Sequence, residues 1–420
     1  MTPPPPGIGF GRMSSSWGEF RTLRSARRAG AVAGLLALAA VTALGGAATA
    51  APSGSKSPSQ AMADAAKGSG GSGRLKVVAE GLDNPRGIGF GPDGALYVAE
   101  SGSGGAGPCV AGPEGADVCF GRSGGVTRIT KRSQRRVLSG LPSVAEEGGV
   151  AANGPVDLGF SGWTGYLLVG NPGGGPESRE RFGPAARRFG KLLKVDLRGI
   201  RSVADFPRFE ELNNPDGGAG VPPGEPGAID SNPNGLLVRK GAQFVTDAGG
   251  NDLLKVDHKG RISVVGVFPT QTVPAPPGFP VPELESQAVP TSVVKGPDGA
   301  FYVGQLTGFP FPVGGASVFR VVPGHDPEVF AGGFTNIIDI AFDKRGRLYV
   351  LEIATGGLLN TPPDQLPAGR LVRVNRDGSQ TTLASEGLSA PGGFVLGHGA
   401  AYITNNSILS DAGQVVKVAI

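Results

Sequence analysis

From Leu75 onward the chain alternates short apolar runs with turns rich in Gly, Asp and Asn, and the alternation recurs as a unit. Six segments show it: RGIGFGPDGALYVAE (86–100), VDLGFSGWTGYLLVGN (156–171), NGLLVRKGAQFVTD (234–247), TSVVKGPDGAFYVGQ (291–305), IDIAFDKRGRLYVLE (338–352) and GGFVLGHGAAYITN (392–405). Each reads as an apolar strand, a Gly-containing turn and a second apolar strand, the signature of a hairpin. A third strand follows every pair: VTRI (126–129), LLKV (192–195), LLKV (253–256), VFRV (318–321), LVRV (371–374) and VVKV (415–418). Each carries a basic residue at its third position, namely Arg128, Lys194, Lys255, Arg320, Arg373 and Lys417. A repeat of this kind, unable to bury its apolar faces alone, implies a stacked or ring architecture.

A fourth strand follows in five of the units, as in RISVVGVF (261–268) and TTLASEGL (381–388). The sixth has no room for one before Ile420, but LKVVAEGL (75–82) ends in the same EGL as TTLASEGL. The sequence therefore predicts an all-β fold, a six-bladed β-propeller closed by pairing of the N-terminal strand 75–82 with the last blade. Closure removes the open sheet edges that invite aggregation.

The repeats are unevenly spaced, as the equivalent positions Gly87, Asp157, Gly235, Ser292, Asp339 and Gly393 show. The turns GPDGA, VRKGA, DHKGR and NRDGS stay short. Length is added instead at 101–124, 172–188, 306–316 and 353–369, between second and third strands, and at 206–231 and 269–289, between blades. In an antiparallel blade both kinds of connection emerge at one end, so the long loops share a face, and that face is the expected working surface. The Pro-rich stretch 269–290 is expected to be a rigid surface crossover.

The same parity brings the starts of inner strands and the ends of second strands to the loop-bearing face, near the channel mouth. The starts offer Asn84, Asn153, Asn232, Asn234 and Asn336; the ends offer Glu100, Asn171, Asp247, Gln305, Glu352 and Asn405. Two readings stand side by side. In one, these side chains cap strand ends and satisfy local backbone. In the other they form a binding ring at the mouth, within which Asn153, Asn234, Asp247 and Glu100 are candidate ligands for Ca²⁺, an ion that takes six to eight oxygens. The sequence requires no cofactor, and Ca²⁺ is the one candidate. The basic residue of each third strand is expected to lay its stem between blades and reach solvent or an acid. His258, His325 and His398 fall in short turns on the opposite face, which disfavours a histidine mechanism or a His-rich metal centre at the mouth. No G-x-S-x-G nucleophile motif or phosphate-binding loop is present.

Composition adds three points. Gly (73) and Pro (37) sit between apolar runs, and 39% of residues are hydrophobic, which favours a turn-rich β protein over disorder. Residues 1–50 read as a secretory signal. Arg12, Arg21, Arg24, Arg27 and Arg28 precede the apolar run 31–44, and Ala48-Thr49-Ala50 forms the exit. Whether export is Sec or twin-arginine, and whether Met1 or Met13 is the start, stays open. Residues 51–73 read as a flexible linker and 74–420 as the propeller. The formal charge of +4 equals that of the leader alone, so the remainder is near neutral and nucleic acid is excluded as a partner. The run 31–44 is too short for a membrane-spanning helix. Cys109 and Cys119, in an exported chain, are expected to form a disulfide, a two-cysteine metal site being the lesser alternative.

The segment EGLDNPRGIGFGPDGALYVAESG, the Cys-containing loop after it and the closing FGRSGGVTRI resemble the ScyD/ScyE family of secreted bacterial propeller proteins. The resemblance covers roughly residues 75–420 and implies an NHL-like six-bladed propeller with an export signal. The architecture is also similar to gluconolactonase-type hydrolases, where Glu, Asn and Asp from several blades hold calcium at the channel mouth. Asn234 in NPNGLLV matches the Pro-Asn-Gly strand start of that group and Asn153 matches more loosely, while the early Glu is missing unless Glu100 replaces it. A secreted binding or scaffold module is therefore expected, monomeric, with a small molecule or extracellular protein as partner. The alternative is a calcium-dependent lactone or ester hydrolase.

Overall fold

A computed structural model describes residues 75–112, 116–219 and 229–420. The signal at 1–50 and the linker at 51–73 lie outside the described residues. The chain forms six antiparallel four-stranded blades, the first of which carries an added fifth strand, and a separate two-stranded ribbon. The inner strands are Pro85–Phe90, Pro155–Ser161, Pro233–Arg239, Pro290–Lys295, Ile337–Phe342 and Gly393–Gly397. Each packs against the inner strands of the two flanking blades, and the sixth returns to the first, so the ring is closed.

Closure follows the sequence expectation. Lys76–Leu82 pairs antiparallel with Gly413–Ala419, with Lys76 opposite Lys417 and Leu82 opposite Gly413. The order across the sixth blade is thus N-terminal strand, last strand, Ala400–Asn405, inner strand.

The second strands read as almost continuous apolar runs because both their faces are covered by neighbouring blades. The buried side chains divide into six clusters, one at each blade interface. Between blades six and one, Ala79, Leu82 and Val415 meet Ile88, Leu96 and Val98. Between blades one and two, Phe120, Val126 and Leu141 meet Leu158, Phe182 and Phe189. The other four interfaces are built alike. Arg128 and Arg320 reach acids in the short turns, Asp93 at 2.6 Å and Asp298 at 2.8 Å, while Lys417 lies over the Tyr402 ring.

The insertions carry structure of their own. The third strand of blade one begins at Asp117, well before the apolar run VTRI, because Cys109–Ala111 pairs with its start. The Cys109–Cys119 disulfide staples that pair across the register. The Pro-rich crossover after blade three is a ribbon of Gln271–Pro274 and Glu283–Ser286. The crossover from blade two to blade three opens with the helix Phe206–Asn213. No helix among the described residues is long and apolar enough to cross a membrane.

Because Leu82 is 1% exposed at the closing interface, Leu82→Ala should cost about 3 kcal/mol in denaturant unfolding. A variant lacking residues 1–82 should leave Gly413–Ala419 as a bare edge and elute as aggregate in size-exclusion chromatography.

Candidate functional site

The inner strands line the channel, and their first residues explain its shape. Four begin with Pro, whose missing N–H is tolerated on a strand with no partner on its channel side. Five carry a register shift just after entry, between Pro85 and Ile88, Pro155 and Asp157, Pro233 and Gly235, Pro290 and Ser292, and Ile337 and Asp339. Bulges of this kind re-aim side chains. Here they set Gly87, Asp157, Gly235, Ser292 and Asp339 at the waist of the channel, where Gly393 of the unbulged sixth strand joins them.

Two of those six are acids, in blades three apart around the ring. Asp157 accepts the N–H of Leu158 through Oδ1 and that of Leu236, in blade three, through Oδ2, both at 2.7 Å. Asp339 does the same with Ile340 and with Phe394 of blade six, both at 2.8 Å. Each carboxylate therefore ties its inner strand to the next. Gly87 has to be glycine: a Cβ there would fall 2.2 Å from Asp157 Oδ1 and 2.8 Å from Asp157 Cα. By surface area the two acids are half-buried. Burial, together with the charge of Asp339, pushes Asp157 up to about 8, and burial pushes Asp339 up to about 7. In the sequence these residues mark the repeat. The available signal was an acid inside an otherwise apolar strand, in VDLGF and IDIAF.

The second-strand ends are all buried. Glu100 Oε2 accepts the Asp83 N–H at 2.8 Å and Arg136 Nη2 at 2.5 Å. Glu352 Oε1 accepts the Thr335 N–H at 2.8 Å, and its carboxylate takes Arg370 as a two-pronged partner. Asp247 Oδ1 accepts the Asn232 N–H at 2.6 Å as well as those of Gly249 and Gly250, and Oδ2 accepts Ser231 Oγ. Asn405 Oδ1 accepts the Ser389 N–H at 2.8 Å, and Gln305 Oε1 that of Ser317. Asn171 Nδ2 donates to Ser178 Oγ and to the Ser231 carbonyl, each at 3.0 Å. Burial lifts Asp247 to about 6 against the bonds to Ser231 and the backbone that hold it down.

The strand starts are committed in the same way. Asn84 and Asn336 adopt left-handed backbone, φ 47° and 46°, a conformation Asn tolerates. Asn84 bonds the carbonyls of Gly102 and Gly149 and the Ala152 N–H; Asn336 bonds the Leu306 carbonyl and the Leu358 N–H. Asn153 Nδ2 donates to the Asn171 carbonyl, and its Oδ1 is buried without a partner. Asn234 Nδ2 donates to the Thr291 carbonyl of blade four. The arrangement gathers Asn153, Asn171 and Asn232 around Gly170, while Glu100 and Glu352 turn toward outer strands of their own blades. Of the four candidate Ca²⁺ ligands, Asn153 and Glu100 each keep one buried oxygen without a partner. Both oxygens of Asp247 are already bonded, Glu100 is drawn to Arg136, and Asn234 leans to the next blade. At the same depth Arg86 donates to the Ala152 carbonyl at 2.6 Å, its Nε is unpartnered, and burial lowers its guanidinium to about 10.

No family model and no curated protein matches the chain. Solved structures do match. A Bacteroides thetaiotaomicron protein of unknown function is 9% identical, with 82% of this chain and 75% of that one covered and a TM-score of 0.47. Virginiamycin B lyase from Staphylococcus aureus is 12% identical over 83% and 99%, with a TM-score of 0.43. The PQQ-bound aldose sugar dehydrogenase from Streptomyces coelicolor is 11% identical over 83% and 97%, with a TM-score of 0.44.

Two expectations follow. Removing Arg370 strands the fully buried Glu352, so Arg370→Ala should cost about 3 kcal/mol, measured by chemical denaturation. The waist acids, ordinarily near 4 when unfolded and raised in the fold, contribute stability that is full below about pH 4 and drains as pH rises toward 8. The melting temperature should fall between pH 5 and pH 8, and should fall less in Asp339→Asn.

Proposed function

We propose that this chain is an exported binding propeller of the ScyD/ScyE kind, which engages a small molecule or an extracellular protein with its loop-bearing face. The observation that carries the reading is the commitment of the mouth: nearly every polar side chain there is spent on backbone hydrogen bonds within or between blades. A rim so engaged is a rigid platform rather than a set of free acids and bases. Recognition then falls to the inserted loops. On these, Phe279, Phe309 and Phe311 cluster, with ring centroids 5.4 and 6.3 Å apart, beside the exposed Val313. Aromatic anchors on a rigid support are the usual substance of a binding surface. The disulfide is in keeping with export through the leader at 1–50.

The test has two arms. The exported chain should turn over no member of a lactone and ester panel, with Ca²⁺ or with chelator. Immobilised, it should retain a ligand from the medium of its producing cell that the folded variant Phe309→Ser/Phe311→Ser does not. Metal-dependent turnover would overturn the proposal in favour of a hydrolase of gluconolactonase type.

A further inference from the structure

One region reverses the pattern of the mouth. Where the second blade crosses to the third, Glu210, Asp216, Asp230, Asp247 and Asp252 come together, and several of their oxygens have no partner. Glu210 lies on the helix Phe206–Asn213 and is 2% exposed, with Oε1 unbonded. Asp230, 6% exposed, accepts the Gly174 N–H through Oδ1 at 2.7 Å and leaves Oδ2 unbonded. Asp252 is fully buried and neither of its oxygens has a partner. Asp216 accepts Asn251 Nδ2 at 2.8 Å.

Glu210, Asp230 and Asp247 surround the Gly249-Gly250 turn, and Asp252 follows it on the opposing strand. A Cβ on Gly250 would lie 3.0 Å from Glu210 Oε2 and 3.6 Å from Asp247 Cγ, and one on Gly249 would lie 2.9 Å from Asp230 Cγ. Asp247 and Asp252 are directly opposed in the antiparallel pair. Like charges so placed repel. Among the described residues no Lys, Arg or His makes an ion pair with any of the five.

Something must compensate that charge, because a buried carboxylate oxygen left unpaired costs several kcal/mol. Protons alone do it poorly. A protonated Asp252 would still need an acceptor for its O–H, and no bonding partner is in place for either oxygen. Hard, anionic oxygens at the ends of two strands and a helix suit a hard divalent cation that accepts irregular coordination. No three Asp, Glu, His or Cys side chains among the described residues are already posed as metal ligands, so an ion would draw the free oxygens inward.

We propose that Glu210, Asp230 and Asp252 form a divalent-cation site of the Ca²⁺ class, with Asp216 and Asp247, whose oxygens are already hydrogen-bonded, adding negative charge at its rim. The ion clamps the second-to-third-blade crossing onto blade three. The site is separate from the mouth residues weighed above except for Asp247, and it does not depend on the function proposed for the loop face.

The test uses the full chain stripped with chelator and titrated with CaCl₂, read by calorimetry and thermal melting. One ion should bind, and a hundredfold excess over its Kd should raise the melting temperature by about 4 °C. Asp252→Asn should abolish that rise without lowering the melting temperature of the stripped protein, since it removes a repelling charge and keeps the shape. Glu210→Gln should behave alike and stands in should the first variant fail to fold. Glu100→Gln should keep the full Ca²⁺ response. Absence of binding heat and melting shift at about 10 mM Ca²⁺, beyond the range of weak extracellular sites, would overturn the proposal. So would loss of the response in Glu100→Gln with its retention in Asp252→Asn.

Discussion

The backbone N–H just ahead of an inner strand needs a partner as the chain enters the channel; in blade two Asn153 finds the Val144 carbonyl of a neighbouring strand, but most blades use a side chain. In four blades the answer is the same: the side chain that ends the second strand folds back to accept the N–H just ahead of the first. Glu100 serves Asp83, Asp247 serves Asn232, Glu352 serves Thr335 and Asn405 serves Ser389. A buried N–H left open would cost about 1–3 kcal/mol, so the repeated pairing is a substantial constraint on sequence at those positions. A bulge just after entry, present in five blades, sets which of their residues reaches the waist. The acids there then bind the next inner strand, so an interaction inside one blade becomes a coupling between blades.

The fold was legible because a propeller repeats its physics. Paired apolar runs, short Gly turns and a missing last strand with a matching N-terminal one sufficed to specify six blades and their closure. The Cys109–Cys119 staple followed from spacing and compartment. The mouth was legible only in part. Parity shows that Glu352 lies at the loop-bearing end of its strand, but not that its carboxylate turns outward to Arg370. That depends on the register placing Arg370 opposite Glu352, and on an arginine 18 residues away across a loop of no fixed length. The early start of the third strand in blade one was hidden because FGRSGG looks like a loop, its glycines being needed for close approach to the neighbouring segment. The nest at Asp252 was hidden for a different reason. Its members come from a helix, a crossover and two strands, and no spacing in the sequence announces that they meet.

The mouth and the nest therefore illustrate opposite treatments of the same residue types. At the mouth, amides and carboxylates are spent on neighbouring backbone, and the result is rigidity. At the crossing between blades two and three, carboxylates are buried with oxygens to spare, and the fold pays for it in electrostatic strain that a ligand would relieve. Polar composition alone does not distinguish the two; the difference lies in which groups have partners.

The closing pair has a consequence in time. Synthesis delivers Lys76–Leu82 before any blade, while its partner Gly413–Ala419 comes last. Until the final residues arrive, the first strand has no native mate, and the apolar faces of Ala79 and Leu82 stay open beside whatever blades have formed. The ring is thus completed by a contact between opposite ends of the described residues, and the slow search for it sets when the molecule becomes safe from its own edges.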